Sequence, residues 1–499
     1  MRPEIILGPP GTGKTTRLLE MVDQEIASGT EPGRIGYVSF TKRAAREAVT
    51  RACEKFGLES RQLPYFRTLH SLCFHALGMS NADVFEGKKV LEFGDWIGVR
   101  LSEYVNMEEG TTFGYEPGDR ALFMENLARV HRVPLRKQYD SHHDDLSWKL
   151  VERISRGLSQ YKRDHGLLDY TDMLEHFAAQ EWSPELDVLF VDEAQDLSAL
   201  QWDVVWKLAK SAYRVVIAGD DDQAIYRWAG AAVDYFVGLE GTVTVLGQSY
   251  RVPLAVQGAA QDVIERVRNR RPKEWAPRQE QGVVSRLRAV TEVDFWTPDI
   301  LVLARNAYII RRILPFLRSE GVIYEWRGHS SVKRSILEAV RTWEALRSGR
   351  EVSVEDVRSV YEYMSSGTGV KRGYKSLPGF SNSDMIGMGD LRERGGLVRE
   401  DIWHEALERI PQDEKIYLLR ARQRGETTTG RPRIRLSTIH GSKGGEAEHV
   451  VLLRDMAQRT WQEFRQQPED EARVWYVAAT RAKQQLSIVA PSSRMSYDV

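Results

Sequence analysis

Near its start the chain reads GPPGTGKTT, residues 8 to 16, directly after the short apolar run EIIL. Glycines at this spacing let backbone N–H groups point at phosphates. A lysine that follows reaches the β and γ phosphates, and the next hydroxyl can hold Mg²⁺. Gly8, Pro9, Pro10, Gly11, Thr12, Gly13, Lys14, Thr15 and Thr16 are therefore the candidate nucleotide cradle. Far downstream, LFVDEAQD (189 to 196) has an apolar run that ends in carboxylates. Hydrolysis needs a neutralised phosphate and an oriented water, which suits Asp192 as a metal ligand with Thr15 and Glu193 as the group that polarises the water.

Other chemistries find less support. Cys53 and Cys73 are the only cysteines, too few for a disulfide framework, a four-cysteine zinc site or an iron-sulfur cluster. His70, Cys73 and His75 lie close in sequence but lack a fourth ligand, so no metal is expected there. The net charge of −1 excludes a passive basic coat for nucleic acid, and any such contact must come from a local groove. No apolar run approaches the roughly 18 residues of a membrane span, and the start lacks a signal-peptide layout. A cytoplasmic protein is expected.

The elements that must position these residues follow from the pattern. Short β-like runs at IILG, IGYVSF, LDVLFVD and RVVIAGD alternate with helix-like stretches such as KTTRLLEMVDQEIASG, which argues for a parallel sheet. VTVLG, DILVLA, VIYEW, IRLSTI, HVVLLR and LSIVA read as a second set. At 499 residues the chain is too long for one core. Each α/β unit is interrupted by a mostly helical stretch, the first ending in SWKLVERISRGLSQYKRDHG, the second holding the patch SSGTGVKRGYKS.

VDEAQD, followed by VVIAGDDDQAIYRWAGA (215 to 231), resembles motifs II and III of the UvrD/Rep-type superfamily 1A DNA helicases. YVSFTKRAA is similar to motif Ia, RTLHS to motif Ib, LDYTDML to the motif before the second carboxylate strand, and LGQSYR to motif IV. IRLSTIHGSKGGE resembles motif V and DEARVWYVAATRA motif VI, all in the family's order from residue 8 to residue 482. The resemblance implies an α/β fold of two RecA-like P-loop cores, each carrying an insertion. Core 1A would occupy 1–79 and 166–240 with insertion 1B at 80–165; core 2A would occupy 241–334 and 431–499 with a reduced 2B at 335–430.

It also implies roles. Gln195 and Gln223 match glutamines that sense the γ phosphate, and Arg251 and Arg481 match arginine fingers that act when the cores close on ATP. Glu446, beside Gly444, matches the ribose contact, and Tyr250 matches a tyrosine that stacks on the base. Phe40, Tyr226 and Trp228 match aromatics that stack on bases of single-stranded DNA. Thr41, Thr68, His70, Thr438 and His440 match groups near the strand's backbone, and Tyr497 is a further candidate platform.

Departures from the family pattern carry expectations of their own. Ala229 stands where the family usually has arginine, which puts that coupling contact in doubt, and Gly445 replaces a common leucine. The family's adenine-reading glutamine segment ahead of the P-loop has no counterpart here. Base recognition is then left to Tyr250 and Arg17, with ATP over GTP discrimination below about tenfold, or roughly 1.4 kcal/mol. Little follows motif VI, so regulatory and docking parts of larger relatives are expected to be reduced.

The expected activity is an ATP- and Mg²⁺-dependent translocase and helicase, 3′ to 5′ on single-stranded DNA and its junctions with duplex, in replication or repair. One alternative is a translocase that strips proteins or serves a nuclease system without unwinding. Another is an AAA+ protein-remodelling ATPase, since GPPGTGKT serves there too. That reading calls for a carboxylate motif nearer the P-loop and a single core. In the SSGTGVKRGYKS patch, Lys371, Arg372 and Lys375 are candidate contacts to duplex phosphates.

Overall fold

The computed structural model describes residues 2–40, 42–102, 116–141, 145–426 and 430–499. Two compact units result: Met1–Arg286 with Thr438–Val499, and Leu287–Ser437. No helix among the described residues is long and apolar enough to cross a membrane.

The first unit is built on a six-stranded sheet, in the order Phe66–Thr68, Ile35–Ser39, Val188–Asp192, Arg214–Gly219, Glu4–Leu7, Thr242–Val245. Every pairing in it is parallel. The runs IGYVS and VLFVD are buried at every position, as strands covered on both faces must be. Ile217 pairs with Val191 on one side and Ile5 on the other. The segments after Asp192, Gly219 and Leu7 therefore emerge side by side at the sheet's C-terminal edge, where α/β sheets place ligands.

The run VTVLG, grouped above with the second set, belongs instead to this first sheet, with Val245 opposite Leu7. Thr242, Val243 and Thr244 of this strand are exposed, as on an edge strand. A four-residue run carries no mark of the sheet it joins, because that choice is made by non-local pairing.

The first insertion contains helices Lys88–Ile97, Pro117–Val130, Leu135–Asp140 and Trp148–His165. In the last of these, Val151, Ile154, Leu158 and Tyr161 recur on one face and pack with Phe93. Ser147 caps its start by accepting from Leu150 N, and Gly166, at φ 63°, ends it. Arg129 and Lys162 pin the insertion to the next helix, Tyr170–Ala179. Arg129 bonds Asp169 at 2.8 Å and Glu175 at 2.7 Å, and Lys162 bonds Asp169 at 2.5 Å and Asp172 at 2.6 Å. The acids of the LDYTDML motif thus serve as an anchor.

The second set of strands supplies a parallel pair in the first unit, Ala447–Leu453 with Ala482–Val489. The second unit has its own parallel pair, Tyr324–Trp326 with Ile434–Leu436. Around Trp343, Tyr361 and Trp403 that unit packs helices Arg334–Arg347, Val354–Glu362 and Gln412–Gln423. The SSGTGVKRGYKS patch is part of this packing. Val370 is fully buried, and Lys375 Nζ donates to Met364 O at 2.6 Å. Lys375 is thus committed to the fold, and only Lys371 and Arg372 are exposed cations of the patch.

Candidate nucleotide and nucleic-acid site

The P-loop takes its shape from its own backbone. Gly11 and Gly13 adopt φ of 72° and 79°, which a side chain would resist. Thr12 Oγ1 donates to Pro9 O at 2.8 Å, and Gly8 N donates to Gly219 O at 3.1 Å. Gly13 caps helix Lys14–Ala27 without a side-chain bond, and the first turn has no acid, so its N–H groups remain for an anion. Lys14 Nζ rests on Gly8 O at 3.1 Å and lies 3.9 Å from Glu193. Thr16 and Arg17 are on the exposed side of that helix, Arg17 beside Glu20 at 3.4 Å.

Thr15 Oγ1 donates to Asp192 Oδ2 at 3.0 Å, and the Tyr37 hydroxyl donates to the same oxygen at 3.1 Å. Burial, reinforced by the Glu193 charge, pushes the Asp192 carboxyl up to about 6. For Glu193 burial acts in the same sense, but the Lys14 and Lys443 charges outweigh it and hold that carboxyl low, at about 2. Glu193 is the charged base of the pair. Its backbone is left-handed at φ 54°, a strained conformation costing about 1–3 kcal/mol that turns its carboxylate toward Lys14 and Gln195.

The two glutamines are held in place. Gln195 Nε2 donates to Glu193 Oε2 at 2.5 Å while its Oε1 accepts from Asp220 N at 2.9 Å. Gln223 Nε2 donates to Asp220 Oδ2 at 2.6 Å, and its Oε1 accepts from Arg481 at 3.0 Å. Arg481 is 2% exposed; burial and the nearby Arg251 charge both lower its pKa, a strain that an arriving anion relieves. Arg251 bonds Glu446 at 2.6 Å, and Lys483 holds the other Glu446 oxygen at 2.6 Å. Gly444 turns the preceding chain at φ 78°. Tyr250 is tied to the P-loop by its N–H to Gly11 O at 2.8 Å and leaves its ring 74% exposed, free to stack on a base.

The aromatic residues gather next to this site. Phe40 and Tyr226 stack with centroids 5.5 Å apart, Tyr226 and Trp228 lie 6.4 Å apart, and His440 contacts both of the latter rings. Trp228 also stacks on Phe123 at 6.3 Å, with Leu127 and Val130 of the insertion, so one face of it is structural. Thr68 caps helix Leu69–Ala76 by accepting from Ser71 N. His70 is partly enclosed against Tyr170, and burial lowers it to about 4, which keeps it neutral. Thr438 and His440 are buried, Thr438 Oγ1 accepting from Gly441 N at 3.1 Å. Thr41 lies outside the described residues. Tyr497 is no platform: it is 2% exposed and stacks on Trp475 at 5.2 Å in the core.

Residues 1–244 match the family model of the UvrD/REP helicase N-terminal domain, and residues 404–493 match that of the UvrD-like helicase C-terminal domain, together about two thirds of the chain. The chain belongs to the UvrD/Rep helicase family. Its two RecA-like cores are those of that family. Among its relatives is the "Putative ATP-dependent DNA helicase YjcD" of Bacillus subtilis, 26% identical over 54% of this chain and 37% of that protein. The ATP-dependent DNA helicase PcrA of Staphylococcus epidermidis is 24% identical over 64% of this chain and 44% of that protein; the Staphylococcus aureus PcrA is also 24% identical. The chain spans less than half the length of the curated relatives it matches.

In this UvrD/Rep chain several residues with no role assigned from sequence brace the candidate site. Tyr37 secures Asp192, and Ser249 ties the motif IV segment to the P-loop through Pro10 O at 2.7 Å. Lys443 pairs with Asp196, donates to Gln223 O at 3.0 Å and lies 4.9 Å over the Tyr226 ring. It stands within the motif V stretch SKGGE, where a lysine amid glycines was the available signal. Arg227, two positions before Ala229, bonds Asp470 of helix Pro468–Ala479 at 3.0 Å and so links motif III to motif VI.

Proposed function

We propose that the chain is an ATP-driven motor that moves on single-stranded DNA and separates duplex ahead of it, with 3′ to 5′ polarity. One observation carries this reading: a continuous polar path from the hydrolytic groups to the aromatic platform. Glu193 is bonded to Gln195, Gln195 to Asp196 at 3.2 Å, Asp196 to Lys443, and Lys443 sits over Tyr226, which stacks on Phe40. A γ phosphate that draws Gln195 or Lys14 toward itself pulls on the residues that would grip a base.

In this reading Mg²⁺ would be held by Thr15 and Asp192, a hard oxygen pair 3.0 Å apart that suits its preference for oxygen ligands. When bound, the ion would supply charge neutralisation at the phosphates. Lys14 and Arg481 stabilise the transferring phosphoryl group, Glu193 orients the water, and Tyr250 stacks on the base. Polarity and the six-segment division into 1A, 1B, 2A and 2B rest on likeness to the family. A strand-displacement assay on 3′-tailed and 5′-tailed duplexes, run beside ATPase with and without single strands, tests the proposal. Unwinding of the 3′-tailed substrate with DNA-stimulated turnover is expected. ATPase indifferent to DNA refutes the motor, and stimulated ATPase without displacement leaves a translocase that does not unwind.

A further inference from the structure

Asp220, Asp221 and Asp222, the acidic run of motif III, bring three buried carboxylates within 4.8 Å of one another. Such a cluster invites a metal, but a protein cation already sits in it. Lys273, its side chain only 1% exposed, places Nζ 3.2 Å from Asp220, 2.5 Å from Asp221 and 3.1 Å from Asp222. Burial works against its ammonium, yet the three carboxylates raise its pKa above the ordinary lysine value, so it stays charged. Arg270 holds Asp222 from a second side at 2.8 Å.

The stretch around Lys273 is clamped by both of its neighbours in the first unit. Arg271 N donates to Asp221 Oδ2 at 2.9 Å, and its guanidinium donates to Phe236 O at 2.9 Å. Arg473, on the motif VI helix, donates to Asp221 O at 3.0 Å and to Asn269 O at 2.7 Å. Residues 269–273 therefore lie between the end of strand Arg214–Gly219 and the helix that leads to Arg481.

Asp220 divides its two oxygens. Oδ1 faces Lys273 at 3.2 Å and also accepts from Asp222 N at 3.2 Å, and Oδ2 accepts from Gln223, whose own carbonyl receives Arg481. The Lys273 ammonium and the Asp222 N–H together hold the carboxylate plane that aims Gln223, and Lys273 supplies the charged half of that hold. We propose that Lys273 is a positioning residue of the ATPase site, acting through Asp220 to hold Gln223 in register with Arg481. With the ammonium removed, three carboxylates face one guanidinium, and Asp220 must rotate or take a proton. Either change releases the Gln223 amide from its orientation.

This inference rests on the ATP hydrolysis proposed above, so wild type is the first arm of the test. The full chain is assayed with Mg-ATP at saturating single-stranded oligonucleotide, as wild type, Lys273→Met and Lys273→Met/Asp221→Asn. The double variant restores the original charge balance, two carboxylates against Arg270, without restoring the contact to Asp220. For Lys273→Met, kcat should fall about 10- to 100-fold, the scale of a misplaced catalytic group. KM should stay within about threefold, because binding of the nucleotide as such is not what is lost. The double variant should recover the unfolding midpoint but not kcat. Should Lys273→Met fail to fold, the double variant alone decides. Recovery of both stability and kcat overturns the proposal, since Lys273 would then only balance charge; so does a single variant with wild-type kcat. A wild-type chain that hydrolyses no ATP refutes the proposed function, and this inference with it.

Discussion

Lys443→Met removes the residue that joins the hydrolytic groups to the Tyr226 platform, and its cost can be worked out from what it leaves behind. Asp196 is fully buried, and burial raises its carboxyl from 3.8 to about 6 even with Lys443 beside it. Because that folded value lies above the ordinary one, the stabilising contribution is complete below about pH 4 and is lost as pH rises through 6. Without Lys443 the carboxyl moves higher still. Above pH 6 the folded variant then keeps a proton that the folded wild type has released. The gap in unfolding free energy between the two should widen by about 1.4 kcal/mol per pH unit. At pH 6, where Asp196 is about half ionised, the bond to Gln223 O, the ring contact and part of the Asp196 pair are lost, about 1–2 kcal/mol. By pH 8 the gap should reach about 3–5 kcal/mol, the scale of a broken buried pair. Urea unfolding of both proteins at pH 6, 7 and 8 reads this directly, and DNA stimulation of ATPase should drop more than the DNA-free rate. A gap that stays constant or narrows from pH 6 to 8 refutes the assignment of Lys443 as the partner of Asp196.

Glu193→Gln should retain ATP binding and lose turnover by at least about 100-fold, while Lys14→Ala weakens both; normal hydrolysis by the glutamine variant would remove Glu193 from its role. Trp228→Ala should weaken single-strand binding by about 1–3 kcal/mol and also lower the unfolding midpoint, because Phe123 loses its stacking partner. Unchanged strand affinity in a titration would leave Trp228 with its structural face alone. Tyr250→Ala should raise KM for ATP and GTP together, as expected of a ring that stacks on either base; selective loss of one nucleotide contradicts this. Charge reversal at Lys371 and Arg372 should reduce unwinding and its salt sensitivity while single-strand ATPase is kept, and no change in duplex affinity would identify the patch as a solvated surface.

The candidate nucleotide site was legible because its parts are local. A strand, a glycine turn and a helix N-terminus occupy adjacent residues, so GPPGTGKTT and VDEAQD carry their own geometry. What escaped detection was the set of partners brought from afar. Lys273 meets acids some fifty positions earlier in the chain, and nothing in RRPKEW marks its lysine as buried. Arg129 reaches Asp169 and Glu175 from another helix, so the motif before the carboxylate strand was visible while its anchoring task was not. Two local readings misled. Tyr497, a candidate platform by its position after SSRM, completes a core stack with Trp475, and Lys375, a candidate phosphate contact, caps a carbonyl. The edge strand Thr242–Val245 was recognised as a strand and assigned to the wrong sheet, because pattern reports an element's type better than its neighbours.

The contact between Phe40 and Tyr226 has a consequence for how firmly a strand is held. The two rings lie too close for a base to slip between them, so each already has part of its face covered by the other. A base that enters exchanges a ring–ring contact worth about 0.5–1.5 kcal/mol for a base–ring contact worth about 1–3 kcal/mol, and keeps only the difference. On the proposed reading the platform would behave as a self-closing grip with a low net hold on any one nucleotide, and each base would be cheap to release because the rings recover one another when it leaves.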